Sequence, residues 1–519
     1  MKASDLFVRC LEEEGIEYIF GVPGEENADF MISLEQSDKI RFILTRHEQG
    51  AAFMAEIYGR LTGTTAGCLG TLGPGATNLI TGVADANMDK APLIALTGQG
   101  TTQRLHKESH QIMDVIALFE PVTKWTTTVL HPDNIPEIVR KAVRVARTEK
   151  PGAVHIELPE NIAKMPTDVT PLTPQRFRRS VTDDKIVDQA FEILKKAKHP
   201  VILAGNGCIR RRASKQLRIF CEKTGIGVIS TFMAKGCVDM DADYCLYTIG
   251  LQSRDVIACA LEAADVVMTV GYDMVEYHPY LWHPTKDRTI IHIDSSPAEV
   301  DAYYNIDVGV VGDIKHSLLR ISKVASPHTG TAMRALRKAM IDDMNQHKDD
   351  MSCPVKPQKI IWDLRTAMDL EGIAISDVGA HKMWMSRMFR CEYPNTCIIS
   401  NGFASMGIAM PGAIAAKLTN PGRAAAFSFN INFDCTEHDG SRCPATEEGI
   451  KTALTPDAAD GFGAFVFNPD DGTIVRYDGG SFITDGFAAD MRIRIANSSL
   501  NDGDYTLQAV TADTLTVNE

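Results

Sequence analysis

The residues with the clearest chemical potential lie between positions 41 and 78, where one carboxylate stands among small and apolar neighbours. Residues 46–55 read Arg-His-Glu-Gln-Gly-Ala-Ala-Phe-Met-Ala, with Glu48 as the acid. Residues 42–44 are an apolar run typical of a strand, and an Ala-rich helical pattern begins near Glu48. This order predicts that Glu48 lies at a strand-to-helix junction, which is where open α/β folds bind their ligands. The alternative is a solvated residue whose charge suits the first turn of a helix.

A second pattern in the same stretch also predicts a ligand site. Residues 67–86 follow the order strand, tight turn and helix, and the turn is a Gly-Pro-Gly that continues as Ala-Thr-Asn to Asn78. By itself, Gly-Pro-Gly indicates only a turn. Together with the Arg-His-Glu-Gln-Gly-Ala of residues 46–51, the string closely resembles the pyrimidine-binding domain of thiamine-diphosphate enzymes. Within those enzymes it is most similar to the acetolactate synthase group.

This resemblance implies a reaction, a cofactor and a set of site residues. The reaction would be acetolactate formation from two molecules of the 2-keto acid pyruvate, with thiamine diphosphate supplying the carbanion chemistry. Glu48 would hydrogen-bond the pyrimidine ring nitrogen and favour the imino tautomer, and Gln111 would lie near the substrate. The other residues expected at the pyrimidine end are Pro23, Gly73, Pro74 and Asn78. In this family each site lies between the first domain of one subunit and the third domain of another, so a homodimer or homotetramer is expected.

One departure from the family pattern concerns the substrate. The loop after Pro23 reads Gly-Glu-Glu-Asn, whereas the catabolic synthases carry a lysine near the position of Glu26. Two acids beside a pyruvate site are unfavourable because like charges repel. The resemblance therefore leaves other 2-keto acids open, as in the benzoylformate, oxalyl and sulfopyruvate relatives that share the fold.

Length and composition are those of an ordinary soluble globular protein. The 519 residues are enough for about three domains, and the net charge of −14 argues against a general nucleic-acid or acidic-membrane binder. The 12 cysteines stand singly, without a Cys-x-x-Cys pair, which favours reduced thiols in a cytoplasmic protein over a zinc site or a disulfide framework. The chain opens into a helical pattern rather than a signal peptide, and no apolar run reaches the roughly 18 residues of a membrane span.

Alternating strand and helix patterns predict an α/β fold built of successive doubly wound parallel sheets. The first domain, expected to bind the pyrimidine ring, spans residues 1–166, and a linker rich in Thr, Pro and Arg follows at 167–183. Within this domain, Ser4 is expected to cap the first helix and residues 111–119 are expected to be helical. Residues 153–159 have the pattern of a strand that ends at a proline.

A central α/β domain is expected at residues 184–325. Its Gly-Asn-Gly turn at 205–207 is only weakly similar to a dinucleotide-binding loop, because three arginines at 210–212 replace the third glycine. In the family this domain holds a flavin in the biosynthetic synthases. The segment is more similar to the flavin-free catabolic branch, so FAD is not expected.

A third, incomplete diphosphate-binding domain is expected at residues 355–425. The resemblance implies that the backbone from Gly379 to His381 meets the phosphates and that Met406 lies beneath the cofactor; the alternative for Met406 is a core methionine. The family pattern then continues with a strand ending in Gly-Asp-Gly, which helps to hold the Mg²⁺ that bridges the diphosphate. Residues 424–434 instead read Ala-Ala-Ala-Phe-Ser-Phe-Asn-Ile-Asn-Phe-Asp, so no metal ligand is assigned.

The last segment, residues 461–519, has the pattern of a small all-β module. It shows short alternating runs at 473–477, 491–495 and 505–510, and a hairpin turn is expected at 501–504. The segment weakly resembles phage structural proteins. Two alternatives to an active enzyme therefore stay open: a non-catalytic remnant truncated in its third domain, and an enzyme scaffold joined to a foreign binding module. An error in the assembly of the sequence would give the same pattern.

Overall fold

The chain folds into two compact units. The computed structural model describes residues 1–175, 179–250, 257–325, 327–328, 331–352, 355–428 and, beyond these, 465–468, 473–476, 492–495, 503–510 and 514–518. The first unit comprises Met1–Met344 and Leu364–Asn430, and the second comprises Asn345–Asp363 and Ile431–Glu519. Among the described helices, none combines the length and apolar character needed to cross a bilayer.

The first domain is built on a six-stranded parallel sheet with the strand order β2-β1-β3-β4-β6-β5. The strands are β1 (Tyr18–Gly21), β2 (Arg41–Leu44), β3 (Ala66–Gly70), β4 (Leu93–Gln99), β5 (Thr126–Thr128) and β6 (Ala153–Pro159). The helices are α1 (Ala3–Glu13), α2 (Ala28–Glu35), α3 (Glu48–Thr62), α4 (Pro74–Met88), α5 (Val115–Phe119), α6 (Ile135–Arg147) and α7 (Glu160–Ala163). Because all strands point the same way, their carboxyl ends form one edge.

Small residues bring α3 and α4 together on one face of this sheet. A Cβ atom added at Gly82 of α4 would lie 2.5 Å from the Cβ of Ala52 on α3, so any larger residue would force the helices apart. The alanines of α3, including Ala51 and Ala55, are fully buried. The Ala-rich pattern that marks α3 in the sequence is therefore a close-packing surface.

The central domain contains a second six-stranded parallel sheet, with the order β12-β11-β10-β7-β8-β9. Its strands are β7 (Pro200–Ala204), β8 (Gly227–Ser230), β9 (Cys245–Thr248), β10 (Val266–Val270), β11 (Thr289–Asp294) and β12 (Val308–Val311). Its helices are α8 (Asp184–Lys196), α9 (Asn206–Arg210), α10 (Ser214–Thr224), α11 (Ala258–Glu262), α12 (Pro279–Trp282) and α13 (Ile314–Val324). The strand order reverses between β7 and β10, which makes that point the topological switch of a doubly wound sheet.

The third domain contributes a three-stranded parallel sheet, β14-β13-β15, to the same unit. The strands are β13 (Ile373–Ser376), β14 (Cys397–Ile399) and β15 (Ala425–Ser428), and the helices are α14 (Thr331–Asn345), α15 (Pro357–Ala367), α16 (Ala380–Met388) and α17 (Ala409–Thr419). One hydrophobic core joins α3 and α4 to residues of this domain such as Ile375 and Ile408. Gly412 allows α17 to approach α3 closely, since a Cβ there would lie 2.9 Å from Ile57.

The second unit contains a five-stranded antiparallel sheet with the order β16-β17-β20-β19-β18. The strands are β16 (Phe465–Asn468), β17 (Thr473–Arg476), β18 (Arg492–Ile495), β19 (Gly503–Val510) and β20 (Thr514–Asn518). The predicted fold class, doubly wound parallel sheets with a small all-β C-terminal module, is confirmed. The expected turn at 501–504 is wrong in its second half, because Gly503 and Asp504 pair with β18; residues 501 and 502 lie outside the described residues.

Two other local predictions in the first domain are wrong. The cap of α1 is Lys2, whose backbone N–H donates to Asp5 at 3.0 Å, while Ser4 lies inside the helix and its hydroxyl accepts a hydrogen bond from Ser33. The predicted helix at 111–119 begins only at Val115, because Gln111 adopts a left-handed conformation with φ of 57°. The predicted strand at 153–159 coincides with β6.

Candidate active site

Glu48 is the first residue of α3 and follows the carboxyl end of β2. His47 caps the helix, since its ring accepts a hydrogen bond from the backbone N–H of Gln49 at 3.1 Å. The Glu48 residue is only 8% exposed, so the alternative of a solvated first-turn residue is wrong. A carboxylate in this place is stabilised by the positive end of the helix dipole.

Asn78 fixes one oxygen of the Glu48 carboxylate. Its side-chain amide on α4 donates to Glu48 Oε2 at 3.0 Å. The second oxygen, Oε1, lies beside Gly75, the second residue of α4. A Cβ atom added at Gly75 would lie 3.3 Å from this oxygen. The absence of a side chain at Gly75 therefore leaves space beside Oε1, so a ligand atom could share this oxygen.

The Gly-Pro-Gly turn packs against Gln111. Pro74 occupies the first turn of α4, where its missing N–H costs nothing. Gly73 has a φ of 47°, and a Cβ there would lie 2.6 Å from the carbonyl oxygen of Gln111. A glycine is needed here both for the backbone angle and for the close approach. The contact places Gln111 directly beside the turn that carries Gly75.

The Pro23 turn lies at the same edge of the sheet. Pro23 is exposed, and the next residue, Gly24, donates its N–H to the Asn27 side chain at 2.9 Å. A Cβ at Gly24 would collide with the Thr71 side chain at 2.0 Å. The Asn27 amide in turn donates to the carbonyl of Gly70 at the end of β3. This turn is thereby tied to the segment that leads into Gly73.

The structure brings one group of predicted residues together at the first sheet edge, and the others belong to the third domain. The residues that meet at the carboxyl edge of the first sheet are Pro23, Glu48, Gly73, Pro74, Asn78 and Gln111. The remaining predicted residues, Gly379, His381 and Met406, belong to the third domain. Gly379 precedes α16, and His381 is the second residue of that helix. Met406 is 73% exposed, so it is not a core methionine.

Asp377 holds the Met406 segment and was missed by the sequence reasoning. It follows β13, is buried, and accepts hydrogen bonds from the backbone N–H of Gly407 at 2.8 and 3.0 Å. Gly407 has a φ of 96°, which a residue with a side chain would rarely adopt. The signal that could have found Asp377 is its place as the first charged residue after a buried strand.

A buried acidic cluster lies between the first and third domains and was also missed. Glu56 of α3, Asp85 of α4 and Asp89, which follows the last residue of α4, have carboxylate oxygens within 4.8 Å of one another. Burial and the neighbouring acids raise the pKa of Glu56 well above its ordinary value and raise that of Asp85 to about 7. The Arg60 guanidinium lies 3.5 Å from Asp89. Asp85 and Asp89 stand four residues apart at the end of an otherwise apolar helical pattern, and this spacing is the sequence signal that could have indicated the cluster.

The switch point of the central sheet is filled by the protein's own side chains. The backbone N–H of Asn206, at the start of α9, donates to both carboxylate oxygens of Glu276 at 3.0 Å. Thr231 also donates to this carboxylate. Glu276 is buried, and this burial raises its pKa to about 8. Gly205 packs so closely that a Cβ would lie 2.5 Å from the carbonyl of Gly271.

The first sheet edge fits the pyrimidine end of thiamine diphosphate, whereas no fit is found for the family's magnesium site. A buried carboxylate with one oxygen held by Asn78 and the other beside Gly75 suits a ring nitrogen that shares a proton. Residues 424–434 contain no Gly-Asp-Gly, and positions 429–434 lie outside the described residues. Among described residues, the acidic cluster of α3 and α4 is the one group of three or more potential metal ligands, and it does not follow β15.

Family models match three segments of the chain. A thiamine pyrophosphate enzyme, N-terminal TPP binding domain matches residues 1–118, and the central domain of these enzymes matches residues 187–321. The C-terminal TPP binding domain matches residues 377–428. The two matches to binding domains contain all the site residues named above.

Curated relatives extend the likeness over most of the chain. An acetolactate synthase of Bacillus subtilis (strain 168) is 36% identical over 434 residues, which cover 81% of this chain and 75% of the relative. A probable acetolactate synthase large subunit of Methanococcus aeolicus is 33% identical, over 81% of this chain and 74% of the relative. A glyoxylate carboligase of Escherichia coli O157:H7 is 31% identical, over 83% of this chain and 75% of the relative.

These matches favour an enzyme over the alternative of a non-catalytic remnant, and they agree with the Glu48 geometry at the first sheet edge. The chain belongs to the thiamine-diphosphate-dependent enzyme family and is similar within it to the large subunits of acetolactate synthases.

Proposed function

We propose that the chain decarboxylates pyruvate and joins the remaining two-carbon unit to a second 2-keto acid, giving acetolactate. The observation that carries this proposal is the buried Glu48 carboxylate, whose Oε2 is held by Asn78 and whose Oε1 lies beside Gly75. The relatives named acetolactate synthase and glyoxylate carboligase support a carbon–carbon ligation of 2-keto acids. Pyruvate is the first substrate to test, although Glu25 and Glu26 lie in the turn after Pro23.

Glu48 is proposed to hold the pyrimidine ring and manage its proton. Thiamine diphosphate, when bound, would supply the carbon nucleophile of the reaction. Glu48 would hold, through Oε1, a proton shared with the ring nitrogen, while Asn78 keeps Oε2 in place. Gly73, Pro74 and Pro23 form the walls, and Gln111 faces the substrate beside Gly73. Burial of Glu48 excludes water that would compete for the same hydrogen bond.

The diphosphate end is proposed to lie on the third domain. The N–H groups at the start of α16, after Gly379, suit an anion, and His381 lies in that first turn. Met406, in the same domain as α16, offers an exposed apolar side chain. The family pattern includes Mg²⁺, but residues 424–434 lack the Gly-Asp-Gly that supplies a ligand. We therefore assign no Mg²⁺ ligand in this chain.

The central domain is proposed to bind no FAD. In a doubly wound sheet, a dinucleotide lies at the switch point with its phosphates against the N–H groups after the first strand. Here the Glu276 carboxylate takes the Asn206 N–H, and Gly205 touches Gly271. The anion position is therefore filled by the chain itself. An absorbance spectrum of the purified protein with a flavin band would contradict this proposal.

A homodimer or homotetramer is proposed as the working assembly. The third domain carries a row of exposed apolar side chains around Met406, namely Phe403, Met406, Met410 and Ile414. Exposed apolar rows of this kind mark surfaces that a partner covers. A second copy would bring the first-sheet edge of one chain to the Met406 surface of another, as the family arrangement implies. Sedimentation that gives a monomer at assay concentration would contradict it.

The limits of the four domains and the cellular compartment of the protein are also proposed. We propose a pyrimidine-binding domain at 1–166, a central domain at 184–325, an incomplete diphosphate-binding domain at 355–425 and a β-rich module at 461–519. The first limit is supported by the chain returning to its start, since Lys2 bridges to Pro166 and the Ala3 N–H donates to the Met165 carbonyl. A cytoplasmic location is proposed from the unpaired spacing of the cysteines.

The test is formation of acetoin colour, after acid treatment, from pyruvate and thiamine diphosphate. We expect the wild-type chain to give colour and Glu48→Gln to lose it. Glu56→Gln is the matched control, because it makes the same change two turns further along α3, on a buried side chain that has no hydrogen-bond partner among the described residues. No colour and no heat of cofactor binding with the wild-type chain would contradict the proposal and favour the remnant.

A further inference from the structure

The segment that carries Met406 is held by carboxylates from a different domain. Asp85 of α4 accepts a hydrogen bond from the Ser400 hydroxyl at 2.6 Å and from the Ser405 N–H at 3.1 Å. Asp85 thereby bridges both ends of residues 400–405. Since α4 belongs to the first domain, this contact spans more than 300 residues of sequence.

Asp89, the residue that caps the C-terminal end of α4, holds the middle of the same segment. Its carboxylate accepts hydrogen bonds from the Gly402 N–H at 2.6 Å and from the Asn401 N–H at 3.3 Å. Gly402 lies close against α4, since a Cβ there would be 2.8 Å from Asp89 and 2.9 Å from the Met88 backbone. Carboxylates bound to N–H groups form charge-assisted hydrogen bonds, which are stronger than neutral ones.

Met406 is thus exposed on a backbone that is fixed on both sides. Asp85 holds the preceding N–H at Ser405, and Asp377 holds the following N–H at Gly407. Ala404 adopts a left-handed conformation with φ of 58°, which an unconstrained alanine would rarely take. Here an exposed apolar side chain is carried by a constrained backbone. This arrangement is typical of a functional surface that must be held in a fixed position.

The three acids at this contact, Glu56, Asp85 and Asp89, differ in their partners. Both oxygens of Glu56 are buried and have no hydrogen-bond partner in the described part of the chain. Burial and the charges of Asp85 and Asp89 raise the pKa of Glu56 well above its ordinary value. Asp85 and Asp89 then face the two cations Arg60 and Lys382. The two aspartates bind the segment, and the glutamate does not.

We propose that Asp85 and Asp89 are positioning residues that set Met406 at the place where the third domain receives thiamine diphosphate. This inference rests on the proposed function, in which Met406 lies beneath the cofactor. Neither aspartate touches the cofactor; each acts through the backbone of residues 400–405. A merely structural role would change the free energy of unfolding without changing cofactor affinity.

The test compares Asp85→Asn and Asp89→Asn with the wild-type chain in three measurements. These are hydrogen exchange of the backbone N–H groups of residues 400–407, the Kd of thiamine diphosphate by calorimetry, and the free energy of unfolding. We expect exchange at Ser405 and Gly407 to rise about tenfold and Kd to rise about tenfold, the effect of losing one charge-assisted hydrogen bond. Ser400→Ala removes only the 2.6 Å hydroxyl bond and is the milder variant if the asparagine variants do not fold.

Two controls separate positioning from stability. Val83→Ala truncates a fully buried side chain on the same helix, so it should lower stability while leaving exchange at 400–407 and Kd unchanged. Glu56→Gln should leave exchange at 400–407 and Kd unchanged. If Val83→Ala raises Kd as much as Asp85→Asn does, or if Asp85→Asn and Ser400→Ala leave Kd unchanged, the proposal is overturned.

Failure of the proposed function gives a different result. If the wild-type chain binds no thiamine diphosphate, the proposed function fails for this chain. A rise in exchange at residues 400–407 confined to the aspartate and Ser400 variants would then still support positioning of the segment, and equal exchange in all variants would overturn it.

Discussion

Two sheet edges in this molecule have the same architecture, but the buried glutamates at these edges have different hydrogen-bond partners. Both the first and the central domain present the carboxyl ends of parallel strands, a glycine turn and a buried glutamate. At the first edge, Glu48 has one oxygen held by Asn78 and the other beside Gly75. At the central edge, both oxygens of Glu276 accept protein hydrogen bonds, from Asn206 and Thr231.

The difference shows that the fold supplies a place for a ligand, while the partners of one side chain decide whether it is open. Among the described residues, Glu48 has a side-chain partner at Oε2, and a ligand could take Oε1. Glu276 instead accepts the Asn206 N–H, which in a dinucleotide-binding domain would meet a cofactor phosphate. Substitutions made in parallel at the two edges should therefore have different consequences, and they test this comparison directly.

The largest difference is expected for the pair Glu48→Gln and Glu276→Gln. Glu48→Gln removes the proton-managing group and should lower the rate of acetolactate formation by about 10²- to 10⁴-fold. Glu276→Gln should leave that rate within about twofold, because this side chain accepts hydrogen bonds from Asn206 and Thr231 within the central domain. Rates with saturating cofactor, measured beside thermal melting of each variant, check the prediction. Equal losses from both variants would contradict a distinction between the two edges.

The second prediction concerns how stability changes with pH at the central edge. Burial raises the pKa of Glu276 from an ordinary value of 4.5 to about 8, so between these values the folded chain holds a proton that the unfolded chain has lost. The contribution of Glu276 to stability is therefore present in acid and is lost as the pH rises through this window. Between pH 5 and 7.5, the loss should be on the order of 3 kcal/mol.

Glu276→Gln should remove this part of the pH dependence, since an amide has no such proton to lose. The measurement is urea unfolding at several pH values, with the difference between wild type and variant as the readout. Glu56 and Asp85 titrate in both proteins, so their contributions cancel in that difference. A difference that does not vary with pH would show that Glu276 titrates near its ordinary value.

The third prediction compares a glycine from each edge. Gly205→Ala places a Cβ 2.5 Å from backbone atoms of Gly271 and Tyr272, which cannot move aside cheaply, and should cost about 2 kcal/mol of stability. Gly75→Ala meets the Thr71 hydroxyl at 2.8 Å and Glu48 at 3.3 Å, which are side-chain atoms. It should cost less stability and instead raise the Kd of thiamine diphosphate. Calorimetry and melting of both variants would contradict the comparison if the two effects were reversed.

The sequence allowed the open edge to be predicted because its signals are local. Glu48, the Gly-Pro-Gly turn and Asn78 lie within 31 positions, and the strand at 153–159 was read correctly from its composition. The helix expected from Gln111 failed for a local reason as well: Asp114 caps it by accepting from the Ala117 N–H at 2.9 Å, so the helix starts only at Val115.

The closed edge and the domain contact could not be predicted because their partners are remote in sequence. Glu276 meets Asn206 across 70 residues, and Asp85 meets Ser400 across 315. Nothing in the composition around Glu276 indicates that its carboxylate fills the switch point. Such pairs become visible only when the parallel strands bring their carboxyl ends together, which is a property of the whole sheet.

The smallest predicted effect tests how Glu48 is oriented at the open edge. Asn78→Ala removes the amide that donates to Glu48 Oε2 at 3.0 Å, so the carboxylate can rotate away from the position in which Oε1 faces the ligand. We expect cofactor affinity to fall by about tenfold, the effect of one hydrogen bond to a charged group. Thr77→Ala is the matched control, because the hydroxyl of this exposed neighbour donates to the carbonyl of Pro74 within its own turn. If the control weakens binding as much as Asn78→Ala does, the N-terminal turn of α4 as a whole, rather than the Asn78 amide, orients the glutamate.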